Sequence, residues 1–312
     1  MKIVNYDEIS SCLQLGDLID PVREAFRAYS RGDSSDAIAH LHPPGGEVHI
    51  KAGALAGSKV FAVKIATGFP ENATRGLPVW DGIVLAMDAK SGEPVVLIQD
   101  RGLLTDWRTA VAGAIVTQAL ARKTTSRIGL VGTGIQAFWQ PQAHRALMQF
   151  DSLAIWGRDP TKAAALCRRL EPLLDGVRVE VEPSLEALVG SVDVLITTTS
   201  SSTPVICHAW VHPGLHITAV GADTDAKQEL ELEILARAGK VVVDSLEVNL
   251  RYGEVARAVK AGLLRQGAVI ELGALLSAEQ PARHPDEITV GKLVGLGVQD
   301  LAAVSALLAS LP

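Results

Sequence analysis

The chain has little that would tie it to a nucleic acid, a membrane or an oxidising compartment. Its 312 residues carry a net charge of −6, from 35 acidic and 29 basic side chains, so there is no basic surplus to meet phosphates or an anionic bilayer. No apolar run reaches the ~18–20 residues that span a membrane. The stretch Met1–Ser11 carries charges and lacks an apolar signal core, which predicts that the protein is not secreted. There are only three cysteines, Cys12, Cys167 and Cys207, isolated and without metal-type spacing. They read as free thiols in a reducing, cytoplasmic setting, and no metal site is expected. Aromatic residues make up 4% of the chain although 48% is hydrophobic, so the apolar weight rests on Ala, Val, Leu and Ile. That balance suits sheets covered by helices, and the length suits two domains.

The strongest positive signal is Arg127–Ala137. An apolar run, Ile128–Val131, meets Gly132-Thr133-Gly134-Ile135-Gln136-Ala137. This has the form of a dinucleotide fingerprint. The first glycine permits a tight turn. The second removes a side chain from the path of a pyrophosphate, and the small third residue lets helix pack on strand. The helix start then offers free N–H groups and a positive dipole end to the phosphates. A helical stretch, Gln140–Phe150, and a second strand, Leu153–Trp156, follow at suitable distance.

Around this motif the chain changes rhythm. Tyr6–Arg31 has helical spacing, and Gly32–Gly46 reads as a loop before Glu47–Ala52. The runs Val60–Ala66, Val79–Asp88 and Pro94–Gln99 read as strands of a mixed sheet, with Ser91-Gly92 as a hairpin turn. Thr105–Ala121 is alanine-rich and helical. Six strands are then expected at Ile128–Val131, Leu153–Trp156, Arg178–Val181, Val194–Thr197, His216–Val220 and Lys240–Val243. Helices are expected between them at Thr161–Leu170, Ser184–Gly190 and Lys227–Ala236. The whole predicts an α/β protein with a Rossmann-type doubly wound parallel sheet. Six strands complete such a sheet, so the apolar helix Val298–Leu311 is expected to return to the first domain.

The second strand ends in Trp156-Gly157-Arg158-Asp159-Pro160-Thr161-Lys162. Gly157, Arg158 and Thr161 are candidate cofactor contacts. Arg158 and Lys162 lean towards the 2′-phosphate of NADP over NAD, with Asp159 spent on capping the next helix. The polar loop Thr197-Thr198-Thr199 could lie against a nicotinamide. Asp223, after the fifth strand, could hold or move a substrate proton, or could merely cap the helix expected from Lys227. Lys64 lies in an apolar strand and Arg108 opens a helix. A snorkelling edge lysine and a helical salt bridge are the plainer readings of these two. His40, His42 and His49 read as ordinary surface histidines.

Several motifs occur together in order: Phe61-Ala62-Val63-Lys64-Ile65-Ala66-Thr67, Gly76-Leu77-Pro78, Leu104-Thr105-Asp106-Trp107-Arg108-Thr109-Ala110, the glycine turn, Ala219-Val220-Gly221-Ala222-Asp223, and Ile288-Thr289-Val290 with Val298-Gln299-Asp300-Leu301. Over nearly its whole length the chain resembles the ornithine cyclodeaminase/mu-crystallin family. The resemblance implies a homodimer whose smaller α+β substrate and dimerisation domain is built from both chain ends, residues 1–118 and 290–312. Residues 119–289 would form the NAD(P) domain. It implies hydride transfer between NAD(P) and Cα of a small amino or imino acid. Members include reductases of cyclic imines such as pyrroline-2-carboxylate, alanine dehydrogenases and ornithine cyclodeaminases. A non-catalytic crystallin-like binder is the contrasting reading, and retention of the three family residues speaks against it. By motif match Lys64 and Arg108 resemble the family's carboxylate-binding and catalytic cations, and Asp223 its acid/base. Two positions depart from the pattern. His40 stands near a place where relatives often carry another arginine. Lys51 stands where ornithine-specific members have a glutamate, and a cation there repels a distal ammonium. Lys51 is therefore a candidate substrate contact that favours a substrate without a second positive charge.

Overall fold

The computed structural model describes residues 1–279 and 283–311. Two compact units emerge. The first comprises Met1–Arg108 and the C-terminal stretch from Leu296; the second is Thr109–Gly295.

The first unit holds a six-stranded sheet in the order β1 (Lys2–Asn5), β6 (Pro94–Gln99), β5 (Trp80–Asp88), β4 (Val60–Gly68), β3 (Glu47–Leu55), β2 (Ser34–Leu41). β1 pairs parallel with β6; the other neighbours are antiparallel. Alternation sets one face inward. Val60, Ala62, Lys64, Val84, Ala86, Val96 and Ile98 are buried, while Ile65 and Ile83 are exposed on the other face. The helices Ile19–Arg31 and Gly297–Ser310 pack with this sheet. The last helix approaches β3 closely. A Cβ on Gly53 would stand 2.3 Å from the carbonyl carbon of Gly297, and one on Gly297 would stand 2.3 Å from the Ala52 oxygen. Only a glycine on each side permits that contact.

Two expectations fail in this unit. Tyr6–Arg31 is not one helix but Tyr6–Cys12, a 3-10 turn at Leu15–Leu18, and Ile19–Arg31. Leu13 and Gln14 are extended there, and the Asp17 carboxylate accepts from the Gln14 amide at 2.8 Å. Gly32–Gly46 is not all loop, because Ser34–Leu41 forms the edge strand β2. An edge strand carries polar residues readily, so Ser34, Ser35 and Asp36 concealed it.

The second unit is an eight-stranded, wholly parallel sheet. Its order is β13 (Val269–Glu271), β12 (Lys240–Val243), β14 (Thr289–Lys292), β11 (His216–Ala219), β10 (Val194–Thr197), β7 (Arg127–Val131), β8 (Ser152–Trp156), β9 (Arg178–Val181). The chain runs outward from β7 through β8 to β9 and then restarts at β10 on the other side of β7. That topological switch point lies where ligands bind in such sheets. The six expected strands are present, but the sheet was not complete with them. β13 and β14 are short, and β14 reads Thr-Val-Gly-Lys, too polar to stand out. Its glycine has a packing reason: a Cβ on Gly291 would meet the Val116 side chain at 2.7 Å. A buried chain of polar groups links the layers, from His144 through Thr117 and Thr218 to His216 and Thr289, at 2.7–2.9 Å. The helix expected over Lys227–Ala236 begins only at Leu232. Glu229 and Leu230 are extended, since Val205 and Ile206 donate to the Glu229 oxygen. No helix among the described residues is long and apolar enough to cross a membrane.

Candidate active site

In the first unit the two plain readings of Lys64 and Arg108 fail. Lys64 is on β4, inside the sheet rather than at its edge, and only 3% exposed. Its Nζ donates to Asp300 Oδ1 at 2.9 Å. Arg108 is equally buried. Its Nε donates to the same oxygen at 2.9 Å and its Nη1 to Gln299 Oε1 at 2.8 Å. The arginine thus pairs across the unit, not along its helix. Lys51 lies opposite Lys64 in the β3–β4 register and is also buried.

Three cations therefore gather about Asp300. Burial would raise the Asp300 carboxyl, but Arg108, Lys64 and Lys51 together hold it below the usual carboxylate range. Lys64 moves the other way. Burial lowers it to about 7, helped by the Arg108 and Lys51 charges and opposed by Asp300. Asp300 Oδ2 is buried with no hydrogen-bond partner among the described residues. Such a centre attracts an anion, and a carboxylate can take up the cationic donors.

Asp36 builds the position of Asp300. Its carboxylate accepts from the Gly297 and Val298 amides at 2.8 and 3.0 Å, closing the start of helix Gly297–Ser310. With the Gly53–Gly297 contact, this pins the first turn that carries Gln299 and Asp300. Burial raises Asp36 to about 6. Sequence reasoning assigned no role to Asp36, Gln299 or Asp300. One signal was available: Asp300 is the only charged residue between Lys292 and Leu311. Nor is His49 a surface residue. It is 7% exposed, 3.2 Å from Glu47 and beside the His40 ring, because β3 turns it inward with Lys51. His40 is half-buried and His42 exposed.

In the second unit the glycine turn closes β7. Gly132 has φ +124°, and a Cβ there would collide with Thr198 Oγ1 at 2.4 Å. Gly134 is exposed; a Cβ on it would meet nothing within 4 Å. It begins helix Ile135–Leu147, whose first amides receive no side-chain cap from it. Ala137 is fully buried against Ile128 and Leu130, as close helix–strand packing requires. Open space beside an uncapped helix start fits a pyrophosphate. Thr133 touches the second strand end, since a Cβ on Gly157 would lie 2.5 Å from Thr133 Cγ2. Ile135 and Gln136 form the first turn. Arg158 and Thr161 are exposed, and Asp159 accepts from the Thr161 amide at 2.9 Å, capping helix Pro160–Leu170.

Thr197–Thr199 closes the neighbouring strand β10 across the switch point. Its hydroxyls turn inward more than expected: Thr197 donates to Glu229 at 2.8 Å and Thr198 to the Val131 oxygen at 3.1 Å. Asp223 follows β11 in an exposed-edged loop, and Lys227 Nζ donates to its Oδ1 at 2.8 Å. With the helix starting at Leu232, Asp223 caps no helix, so that alternative falls. One group of possible metal ligands occurs among the described residues, Cys207, His208 and Glu231. Within it the His208 amide donates to Glu231 Oε2 at 2.7 Å, and His208 Nδ1 lies 2.6 Å from the same oxygen.

The chain is similar to the Delta(1)-pyrroline-2-carboxylate reductase of Thermococcus litoralis in complex with NADH and L-proline, with 26% identity and a TM-score of 0.91 over 99% of this chain and 97% of that one. An archaeal alanine dehydrogenase dimer with bound NAD is 29% identical, with a TM-score of 0.91 over 99% and 95% of the two chains. The iminosuccinate reductase of Paracoccus denitrificans is 31% identical over 280 residues, 90% of this chain and 85% of that protein. The model of the ornithine cyclodeaminase/mu-crystallin family matches residues 2–310, and this chain is a member of that family.

Proposed function

We propose that the protein is an NAD(P)H-dependent reductase of small imino acids, or the corresponding amino-acid dehydrogenase. The observation that carries this reading is the buried cluster of Lys64, Arg108 and Lys51 around Asp300, built to receive a carboxylate, on a chain that also carries the open glycine turn. The named relatives reduce or oxidise at Cα of such acids, which supports it.

Gly132–Ala137 would hold the pyrophosphate, and Gly157, Arg158 and Thr161 the adenosine ribose. The bound dinucleotide supplies or accepts a hydride. Arg108 and Lys64 take the substrate carboxylate and fix the orientation of Cα, which accounts for much of the rate of such transfers. Asp223 exchanges a proton with the substrate nitrogen, which accepts hydride at Cα best as an iminium. Lys227 holds the Asp223 carboxylate in place. Lys51 sets specificity against a distal ammonium, so ornithine is a poor substrate. Arg158, with Asp159 already spent on its helix cap, favours NADP(H) over NAD(H). A homodimer would cover the open sheet face with Ile65 and Ile83, each at least 36% exposed.

Steady-state absorbance at the nicotinamide band tests this reading. Pyrroline-2-carboxylate, iminosuccinate and pyruvate with ammonia are supplied with NADPH or NADH, and ammonia release from ornithine is measured alongside. Net NAD(P)H consumption with an imino acid is expected. Ammonia from ornithine without net cofactor change would replace the reading with cyclodeamination. Binding of cofactor without either reaction would leave a non-catalytic binder.

A further inference from the structure

Beneath the second-unit loops lies a chain of buried charge that no step above uses. Glu229 is fully buried. Its Oε1 accepts from the Thr199 amide at 2.6 Å; its Oε2 accepts from Thr197 Oγ1 at 2.8 Å and the Gly221 amide at 2.7 Å. One carboxylate thus ties the loop after β10 to the loop after β11. The loops are also in backbone contact, since a Cβ on Gly221 would lie 2.0 Å from the Thr199 oxygen.

The residue beside Gly221 is held from below. Lys292 Nζ donates to the Ala222 oxygen at 2.6 Å and lies 3.7 Å from Glu254 Oε2. Glu254 Oε1 accepts from the Glu229 amide at 2.6 Å, so Glu229, Glu254 and Lys292 form one continuous unit. Glu254 and Lys292 are fully buried as well. Gly221 and Ala222, the two residues before Asp223, are therefore both fastened to this unit. Burying three charges is costly, and a scaffold of apolar residues would hold a sheet without them. What the charges add is fixed acceptors and donors for loop backbone, which apolar side chains cannot supply.

We propose that Glu229, backed by Glu254 and Lys292, is a positioning residue that locks the Thr197–Thr199 loop to the Gly221–Asp223 loop and so sets the reactive carboxylate against the nicotinamide-facing loop. The assignment of those loops rests on the function proposed above; the coupling between them does not. Burial, and next the Glu254 charge, push the Glu229 carboxyl up to about 7, and its three donors favour the ionised form.

Glu229→Gln tests it. Either amide orientation sets an NH2 group against a backbone N–H, of Thr199 or of Gly221. In the cofactor-free protein, hydrogen exchange at Thr199 and Gly221 should quicken together by ~10-fold or more, the cost of a lost charge-assisted bond, while β7 and β12 amides stay unchanged. In the active enzyme, kcat should fall by ~10-fold or more with the KM for the imino acid within ~2-fold, because the carboxylate clamp lies elsewhere. Glu229→Asp should not rescue, since it is one methylene short. Thr197→Val provides a milder variant should the first not fold, and should quicken the same two amides to a smaller degree. Exchange at Thr199 and Gly221 that is unaltered in the folded variants, or altered at only one of the two, overturns the proposal. An inactive wild type with the two-loop exchange response intact would instead overturn the proposed function and leave the coupling standing.

Discussion

Asp300→Asn is the sharpest perturbation of the first-unit site. The substitution keeps size and shape but removes the anion that Lys64 and Arg108 both bond. The bonds from Lys64 Nζ and Arg108 Nε end on the same oxygen at 2.9 Å, so the amide oxygen of Asn can still accept them but carries no full negative charge. Removing one member of a buried ion pair leaves the other charge uncompensated, at about 3–5 kcal/mol. That corresponds to a melting temperature lower by roughly 10 °C. Lys64 already sits at about 7 because of burial, and Asp300 is the main influence holding it up. Without Asp300 it falls further, so a carboxylate that binds above pH 7 must draw a proton onto a lysine harder to protonate than in the wild type, a loss on the scale of a charged hydrogen bond, about 1.5–3 kcal/mol. The KM for an imino acid should therefore rise by ~10-fold or more at pH 8 and recover in part as the pH is lowered. Differential scanning calorimetry and initial rates from pH 6 to pH 9 measure both effects. A variant that melts within ~2 °C of the wild type, with an unchanged KM across that range, would refute the account of the cluster.

Three further outcomes follow from the geometry. Asp223→Asn keeps the shape of the loop but removes the proton carrier. Turnover should fall by ~10²–10⁴ with cofactor affinity unchanged, and near-normal turnover would remove its assigned role. Gly134→Leu adds a side chain that meets no protein atom near Cβ, so melting should hardly change while calorimetry shows cofactor binding lost; unaltered affinity would contradict the pyrophosphate assignment. His144 is buried, and burial lowers it to about 4 from 6.5. The unfolded chain binds its proton first, so stability present above pH 6.5 is lost as the pH falls towards 4, by about 3 kcal/mol in all. His144→Gln should flatten that part of a urea-denaturation profile, and an unchanged slope would place the acid sensitivity elsewhere.

Local pattern made some of this molecule legible and hid the rest. The glycine turn was readable from its local spacing alone, although only Gly132, with φ +124°, answers a backbone need. The six strands β7–β12 were readable because most are short apolar runs, and α-helices separate all of them but β10 and β11. β2 and β14 were not, since an edge strand tolerates Ser and Asp, and an interior strand packed under Val116 needs a glycine. Lys64 and Arg108 were visible as residues, but their chemistry was not, because their common partner is 236 and 192 residues away. Asp36 and Glu229 looked like ordinary polar residues of a loop and a helix. Their roles depend on which backbone amides the fold brings to them, and no spacing in the sequence encodes that.

The central claim is hydride transfer to Cα of an imino acid bound by its carboxylate. Nicotinamide cofactor deuterated at C4 on the transferring face tests it most directly, with pyrroline-2-carboxylate as acceptor and mass spectrometry of the product. The account predicts one deuterium at Cα of proline for each cofactor oxidised, and loss of that transfer in Arg108→Ala at the same substrate concentration. Proline without label, or label transfer undiminished in Arg108→Ala, would contradict it.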